Sequence, residues 1–173
     1  MLSYNFKYYL LLPILMNVPS RRFRIWVMKK YRVRIGKDTV VCRNVAFRNG
    51  FNIQIGNNCV INSNTLLDGR GGTLKIGNHV DIAQDCIIWT MEHDIHTHEA
   101  TGGNVTIGDY CWIGCRVMIK PGVRIGDSSI CAAYAVVTKD VEENSVYGGI
   151  PAKKICNRNR TKDYVLSFNS KYR

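Results

Sequence analysis

The sequence lacks the features that mark several common classes of protein. No apolar run reaches the ~20 residues that a membrane-spanning helix needs, because the most apolar run, Tyr8 to Met16, is short and contains Pro13. No small-x-small cleavage site follows that run, so we expect no secretory signal peptide. The seven cysteines include no C-x-x-C pair, which argues against zinc and redox motifs and favours reduced thiols. Together these absences predict a cytoplasmic protein.

Acidic residues are scarce at both ends of the chain, whose formal net charge is +11. Residues 1–34 hold eight basic side chains and no acid, and residues 153–173 hold seven basic side chains and one acid. Residues 35–152 hold nine basic side chains against twelve acidic ones. Because no aromatic-basic stacking motif or helix-turn-helix accompanies the basic ends, we expect no nucleic acid partner. We expect the basic ends to contact a phosphate-bearing cofactor or a membrane surface instead.

The middle of the chain has an internal repeat of six residues. An α-helix cannot hold such a stripe on one face, whereas a triangular coil of three short strands per turn can. The sequence therefore predicts an all-β solenoid, and a β-sandwich of short strands is the alternative. The apolar positions of the repeat are Ile35, Val41, Phe47 and Ile53, then Ile55, Ile61 and Leu67, then Ile76, Ile82 and Ile88, and finally Ile107, Ile113, Ile119, Ile125, Cys131 and Val137.

Glycine often follows the apolar position of the repeat, and Asn or Asp often comes next. We expect these glycines at corners, where the chain bends or takes positive φ at low steric cost, and Asn or Asp to form the turns. Cys59, Cys86 and Cys111 share one small-residue position of the repeat, where a buried thiol acts as a compact apolar group. The glycines are Gly36, Gly56, Gly77, Gly108, Gly114 and Gly126.

The ends of the repeat define three segments. Residues 1–34 are predicted to form a helical cap, in which Ser20 caps a helix from Arg21 to Tyr31 that covers the open end of the coil. Peripheral membrane contact is a second possible role for this basic, aromatic helix. Residues 35–152 are predicted to form the coil, and residues 153–173 a basic tail.

The rhythm of six fails between Ile88 and Val105, which predicts a loop excursion over residues 89–104. Three of the four histidines lie there: His93, His96 and His98. Loops on a rigid scaffold often carry binding and catalytic groups. Imidazole titrates where it can take a proton from a weakly nucleophilic hydroxyl. A zinc site built from these three histidines is the competing hypothesis, and a solvated polar loop is the plainest one.

Several repeat units resemble the hexapeptide repeats of the left-handed β-helix acyltransferases, for example Ile55-Gly-Asn-Asn-Cys-Val and Ile125-Gly-Asp-Ser-Ser-Ile. The resemblance covers residues 35 to about 141 and implies a left-handed parallel β-helix. It places His93 at the position of the catalytic histidine of sugar and xenobiotic acetyltransferases. Glu92 and Asp94 are candidates to orient its ring. The γ-class carbonic anhydrases of the same fold spread their zinc ligands over successive turns, so no metal is expected here.

Residues 110–155 resemble the coenzyme A-binding half of the galactoside, maltose and xenobiotic acetyltransferases. The resemblance implies that Trp112 packs beside the pantetheine arm and that the Cys115 amide binds the cofactor or its thioester oxygen. Ala133 then offers backbone groups to the pantetheine. Thr138, Lys139 and Lys153 fall at positions near the adenosine phosphates. Cys156 stands where galactoside acetyltransferases have an arginine, and the candidates to replace it are Lys154, Arg158 and Arg160.

The resemblance implies an acetyl-coenzyme A-dependent O-acetyltransferase that forms a homotrimer with active sites between subunits. The short form with a basic, apolar start most resembles acetyltransferases of capsule, exopolysaccharide and lipopolysaccharide assembly, so we expect a sugar acceptor. Asn64 and Asp68, one coil before the excursion, are expected to hydrogen-bond that sugar. Free sugars and xenobiotics stay open as acceptors. A non-catalytic trimeric scaffold is the alternative from another class.

Overall fold

Two short helices and a stack of triangular turns form the chain in a computed structural model that describes residues 10–159 and 166. Helix α1 spans Leu12–Asn17 and helix α2 spans Arg21–Lys30. The Ser20 hydroxyl accepts the Phe23 N–H at 3.3 Å, which confirms the predicted cap and the helix to within one residue. The sequence analysis missed α1. Neither helix could traverse a bilayer, and the described residues contain no other that could.

Within the described residues nineteen strands follow the helices, most of them two or three residues long. A short 3₁₀ helix, Gly50–Asn52, interrupts the strands once. In chain order the strands are β1 (Arg34–Ile35), β2 (Val40–Val41), β3 (Ala46–Arg48), β4 (Ile53–Ile55), β5 (Val60–Ile61), β6 (Leu66–Asp68), β7 (Leu74–Ile76), β8 (Asp81–Ile82), β9 (Ile87–Trp89), β10 (Met91–His93), β11 (Ala100–Gly102), β12 (Val105–Ile107), β13 (Trp112–Ile113), β14 (Met118–Ile119), β15 (Arg124–Ile125), β16 (Ile130–Cys131), β17 (Val136–Val137), β18 (Ser145–Gly148) and β19 (Lys153–Asn157).

The strands form three parallel sheets, which make the three faces of a prism of about five turns and confirm the predicted solenoid. Sheet A has the order β1-β4-β7-β12-β15, and sheet C has the order β3-β6-β9-β14-β17. Sheet B runs β2-β5-β8-β13-β16-β18-β19, in which only the last pair is antiparallel. Strands β10 and β11 form a separate antiparallel hairpin between the third and fourth turns.

The apolar stripe of the repeat fills the inside of the prism. All of its residues are buried except Ile35, which is partly buried and packs against the core. Ile55, Ile76, Ile107 and Ile125 are aligned from turn to turn in sheet A. The three thiols of the repeat, at Cys59, Cys86 and Cys111, are also buried, as predicted. Burial raises the pKa of the Cys59 and Cys86 thiols to about 11, so both stay protonated at neutral pH.

The corner glycines serve close packing between turns. Of the two reasons expected for them, a bend or positive φ, the second was wrong, because none of them has positive φ. A Cβ on Gly77 would lie 2.8 Å from the Gly108 carbonyl carbon, and one on Gly56 would meet the backbone of Gly77. The positive φ falls two residues later, for example at Asn58 and His79. Where Asn or Asp follows the glycine, it links neighbouring turns: the Asn78 N–H donates to Asp109 Oδ1 at 2.7 Å.

Helix α2 packs on the first turn of the prism. Val27 and Met28 are buried in the core cluster. The buried Arg24 guanidinium donates from Nε and Nη2 to the Val41 carbonyl, at 3.0 and 2.9 Å. Its remaining Nη1 donates to the Val18 carbonyl. Arg24 thereby satisfies a carbonyl of β2, the outermost strand of sheet B, and joins it to the segment between the helices.

The start of the predicted tail is structured. Strand β19 (Lys153–Asn157) pairs antiparallel with β18, and a register shift interrupts the pairing between Val146 and Tyr147. These residues lack the six-residue repeat, so the periodicity did not predict a strand there. The other tail residues, apart from Arg158, Asn159 and Leu166, lie outside the described part of the chain.

The outward side chains make the three faces unlike one another. The outward row of sheet A is polar: Arg34, Gln54, Lys75, Thr106 and Arg124. The outward row of sheet C is apolar: Ala46, Leu66, Ile87, Met118 and Val136. The outward row of sheet B is apolar except for Asp81: Val40, Val60, Asp81, Trp112, Ile130 and Val146.

Candidate active site

The excursion at residues 89–104 is a hairpin fixed at its base. The buried Thr90 hydroxyl donates to the Asp68 carbonyl and accepts the Gly71 N–H, both at 3.0 Å. The Thr90 carbonyl accepts the Gly103 N–H at 2.9 Å. The hairpin therefore leaves the corner between sheets C and A from a defined backbone position.

His93 ends β10 opposite Ala100, and its side chain is exposed. Within residues 10–159 its ring makes no hydrogen bond. The Glu92 carboxylate pairs with Lys120, Oε2 to Nζ at 2.9 Å. Asp94 Oδ1 accepts the N–H groups of His96 and Thr97 at 2.8 and 2.9 Å, and these bonds lower the pKa of that carboxyl. Neither Glu92 nor Asp94, the two candidates to orient the His93 ring, forms a hydrogen bond with that ring.

His96 and His98 lie beyond β10 and are exposed. Across the described ranges, no three His, Cys, Asp or Glu side chains converge in a group that could hold a metal ion. The zinc hypothesis therefore has no structural support in this part of the chain.

Three of the predicted coenzyme contacts lie on neighbouring turns, on sheet B and at its corner with sheet C. Trp112 points outward from β13 and is 48% exposed. Cys115 follows the same strand, and Ala133 occupies the equivalent corner one turn later, where the Tyr134 N–H donates to the Cys115 carbonyl at 2.9 Å. The backbone N–H groups of Cys115 and Ala133 donate no hydrogen bond to a described residue. A Cβ on Gly114 would lie 2.6 Å from the Ala133 nitrogen, so this glycine lets the two turns pack closely at the corner.

The other predicted coenzyme contacts lie on the last turn. Thr138 and Lys139 follow β17 and are exposed. Lys153 begins β19, beside them, because the Ala152 N–H donates to the Val136 carbonyl at 2.8 Å. Neither Lys139 nor Lys153 forms an ion pair with a described residue.

The residues considered as replacements for the missing arginine at Cys156 have other partners. Lys154 Nζ pairs with Glu142 Oε2 at 2.7 Å. Arg158 Nη1 donates to the Tyr110 carbonyl at 3.0 Å. Arg160 lies outside the described residues. Lys154 and Arg158 are thus engaged within the chain, whereas Lys153 forms no ion pair with a described residue.

The two predicted sugar contacts make internal contacts instead of projecting freely. Asp68 is 2% exposed, and its carboxylate accepts Nε and Nη2 of Arg70, with Nη2 to Oδ2 at 2.7 Å. Arg48 lies 4.0 Å from the same carboxylate. With two arginines beside it, Asp68 holds the corner at the base of the hairpin.

Asn64 belongs to a ladder of side chains that climbs the corner between sheets B and C. Asn44 donates to Asn64 at 2.8 Å, and Asn64 donates to Asp85 at 2.9 Å. Arg116 pairs with Asp85 at 3.4 Å and donates to the Tyr134 hydroxyl at 2.6 Å. All five residues have positive φ. The ladder fixes the backbone directly after Cys115 and Ala133, and the repeat spacing alone did not reveal it.

His93 and the Cys115 amide lie at opposite edges of sheet C within one chain. The hairpin is held at the C–A edge by the pair between Glu92 and Lys120. Cys115 lies at the B–C edge, five residues before Lys120 along the strand that crosses the face. At ~3.3 Å per residue the two edges are roughly 16 Å apart. A reacting group cannot touch both within one chain.

Comparisons with known proteins agree with this architecture. The family model described as bacterial transferase hexapeptide (six repeats) matches residues 104–139. The chain is 37% identical over 147 residues to the galactoside O-acetyltransferase of Escherichia coli K12, covering 81% of this chain and 71% of the relative. It is 29% identical over 142 residues to the putative colanic acid biosynthesis acetyltransferase WcaF of the same strain, covering 81% and 78%.

A solved structure is similar over most of the chain. It is that of the hexapeptide-repeat containing acetyltransferase VCA0836 of Vibrio cholerae O1 biovar eltor, complexed with acetyl coenzyme A. The TM-score is 0.79 at 29% identity, and the match covers 86% of this chain and 84% of that one.

Proposed function

This chain belongs to the hexapeptide-repeat acetyltransferases and is an enzyme of that class. From that premise we propose that it uses acetyl-coenzyme A to acetylate a hydroxyl of a sugar in cell-surface polysaccharide biosynthesis. The galactoside relative and WcaF support a sugar acceptor, and WcaF supports the polysaccharide. The observation that carries the reaction is the exposed His93 at the end of a firmly anchored hairpin.

In the proposed reaction His93 removes the proton from the acceptor hydroxyl, which attacks the acetyl carbonyl. The proton then passes from the imidazole to the departing thiolate. Imidazole suits both steps because it changes protonation near neutral pH. The free N–H of Cys115 is the proposed donor to the oxygen on which negative charge develops. The Cys115 side chain has no role in this scheme.

The described residues fit coenzyme A. Trp112 offers an exposed aromatic wall for the apolar pantetheine arm. The Ala133 N–H donates to no described residue and is available to the amide carbonyls of that arm. Thr138, Lys139 and Lys153 supply a hydroxyl and two cations on the last turn, where phosphate groups would bind.

A homotrimer is part of the proposal because the site is incomplete in one chain. Two groups roughly 16 Å apart on one chain become adjacent if the C–A edge of one subunit meets the B–C edge of the next. Such an interface joins two different surfaces and closes into a ring under three-fold symmetry. The apolar outward row of sheet C, between these edges, supports its burial in that interface.

The test measures coenzyme A release with a panel of nucleotide sugars and oligosaccharides. His93→Ala should lower kcat by about 10²-fold or more while coenzyme binding is retained. His96→Ala, on the same hairpin, is the matched control and should turn over at the wild-type rate. A wild-type rate for His93→Ala would contradict the mechanism. Mass spectrometry of the native polysaccharide with and without the enzyme would test the acceptor.

A further inference from the structure

The end of the prism covered by α2 presents aromatic and cationic side chains together. Trp26 is 54% exposed on the side of α2 opposite the buried Val27 and Met28. Lys30 Nζ lies 5.6 Å from the centre of its ring, and the Phe23 ring stacks on it at 5.6 Å. The indole is therefore held in place at the surface by its neighbours.

A second aromatic ring is exposed at the end of the same helix. Phe51 is 63% exposed, in the 3₁₀ helix between β3 and β4. Its neighbour Gly50 lies against the end of α2, because a Cβ there would be 2.4 Å from the Tyr31 carbonyl oxygen. Phe51 is thus placed beside the last turn of α2.

Cations without acidic partners accompany these rings. Lys29 and Lys30 lie in the last turn of α2, and Arg32 follows it with its N–H on the Lys29 carbonyl at 2.9 Å. All three are exposed, and none forms an ion pair with a described residue. The first acid of the sequence, Asp38, shares a cavity with Arg21 and Arg22 at the other end of the helix.

We propose that this surface, formed by Trp26, Lys29, Lys30, Arg32 and Phe51 and here called the basal face, docks the enzyme on an anionic lipid bilayer. Indole and phenyl rings insert at the boundary between headgroups and acyl chains, and lysine and arginine attract anionic headgroups. The exposed rings and the cations share one surface, which matches a bilayer that is apolar beneath an anionic headgroup layer. The basal face belongs to neither of the edges that carry His93 and Cys115.

The proposed trimer would strengthen the attachment. Three-fold symmetry points the three basal faces in one direction, so three weak contacts act on one membrane. The active sites would then stand above the bilayer, at the height of the third and fourth turns. The docking itself requires neither acceptor nor coenzyme, so it stands or fails separately from the proposed reaction.

The experiment is co-sedimentation of the full chain with phosphatidylcholine vesicles, with and without phosphatidylglycerol. Binding should require phosphatidylglycerol and should fall as salt is raised. Lys29→Glu with Lys30→Glu should lower the vesicle affinity about tenfold or more. The matched control, Lys75→Glu with Arg124→Glu on sheet A, makes the same charge change and should bind like the wild type. Equal losses in both pairs, or equal binding to both kinds of vesicle, would overturn the proposal.

Insertion of the indole is tested by fluorescence. Lipids brominated in their acyl chains should quench the tryptophan emission of the wild type, and Trp26→Phe should remove most of that quenching. Trp26→Phe and the double variant Lys29→Glu with Lys30→Glu should both acetylate a soluble sugar as well as the wild type does, because the basal face takes no part in the chemistry. Quenching that persists in Trp26→Phe would refute insertion at this face.

Discussion

Lys120 and Glu92 are joined by an ion pair of 2.9 Å that ties the hairpin carrying His93 to the fourth turn of the prism. Because His93 follows Glu92 directly, this pair sets where the imidazole can reach. Both partners are partly exposed, so the pair adds little to folding stability. Its value lies in positioning the hairpin.

Glu92→Gln should lower kcat about tenfold or less, with KM for coenzyme A unchanged, because the hairpin loses its tether and the imidazole is less well placed. The midpoint of urea unfolding should hardly move. Steady-state kinetics and urea titration measure the two effects. Glu99→Gln, which removes an exposed carboxylate from the same hairpin, should have wild-type kinetics. Lys120→Met combined with Glu92→Gln should cost no more than either change alone.

Gly77→Ala should destabilise the fold by about 2–4 kcal/mol, because the new Cβ would meet the backbone of Gly108 and Asp109 in the next turn. Gly122→Asn is the control. Gly122 has φ +82 and no atom within 4 Å of its Cβ position, and Asn tolerates positive φ. It should cost about 1 kcal/mol or less. Urea unfolding would compare them, and similar losses would mean that backbone conformation, not close packing, selects the corner glycines.

Arg24→Met should destabilise the fold by about 2–4 kcal/mol, because the Val41 and Val18 carbonyls lose their donor in a buried place. Arg24 is 3% exposed, and this burial lowers the pKa of its guanidinium. Arg22→Met, at an exposed position of the same helix, should change stability by less than about 0.5 kcal/mol. Equal unfolding midpoints for the two variants would contradict this role of Arg24.

Asp81→Asn should stabilise the protein at neutral pH. Burial raises the pKa of the Asp81 carboxyl above its ordinary value of 3.8, so the native state binds a proton more readily than the unfolded chain. Stability is therefore lost as pH rises from 3.8 through the raised pKa, and the loss is complete above it. The gain from Asp81→Asn should vanish below that window. Urea unfolding across pH would reveal this, with Glu143→Gln as the control for one lost charge.

The stack of turns could be predicted from the sequence because the six-residue apolar repeat is a local pattern that recurs in every turn. Ile107, Ile113 and Ile119 lie six residues apart and fall on three successive faces of one turn, as the period predicts. The helix after Ser20 was predictable for the same reason, since its cap lies three residues from the N–H that it accepts.

The contacts of the site could not be predicted, because they join residues that only the completed turns bring together. Glu92 and Lys120 are 28 residues apart, and their meeting depends on the path of the hairpin. Asp68 was expected to hydrogen-bond a sugar, whereas in the structure its carboxylate lies beside two arginines of the same corner. Each corner glycine is visible in the sequence, but the close contact that requires it is not, because the contacting backbone belongs to the next turn.

Both ends of sheet B are covered by other parts of the same chain. Arg24 occupies the carbonyl of Val41 at one end, and the reversed strand Lys153–Asn157 follows β18 at the other. A solenoid with free terminal strands could add further copies end to end and grow into a fibre. Here the antiparallel last strand breaks the parallel pattern, and the Arg24 guanidinium occupies a carbonyl of the first strand. Both ends of sheet B are therefore unsuited to such growth.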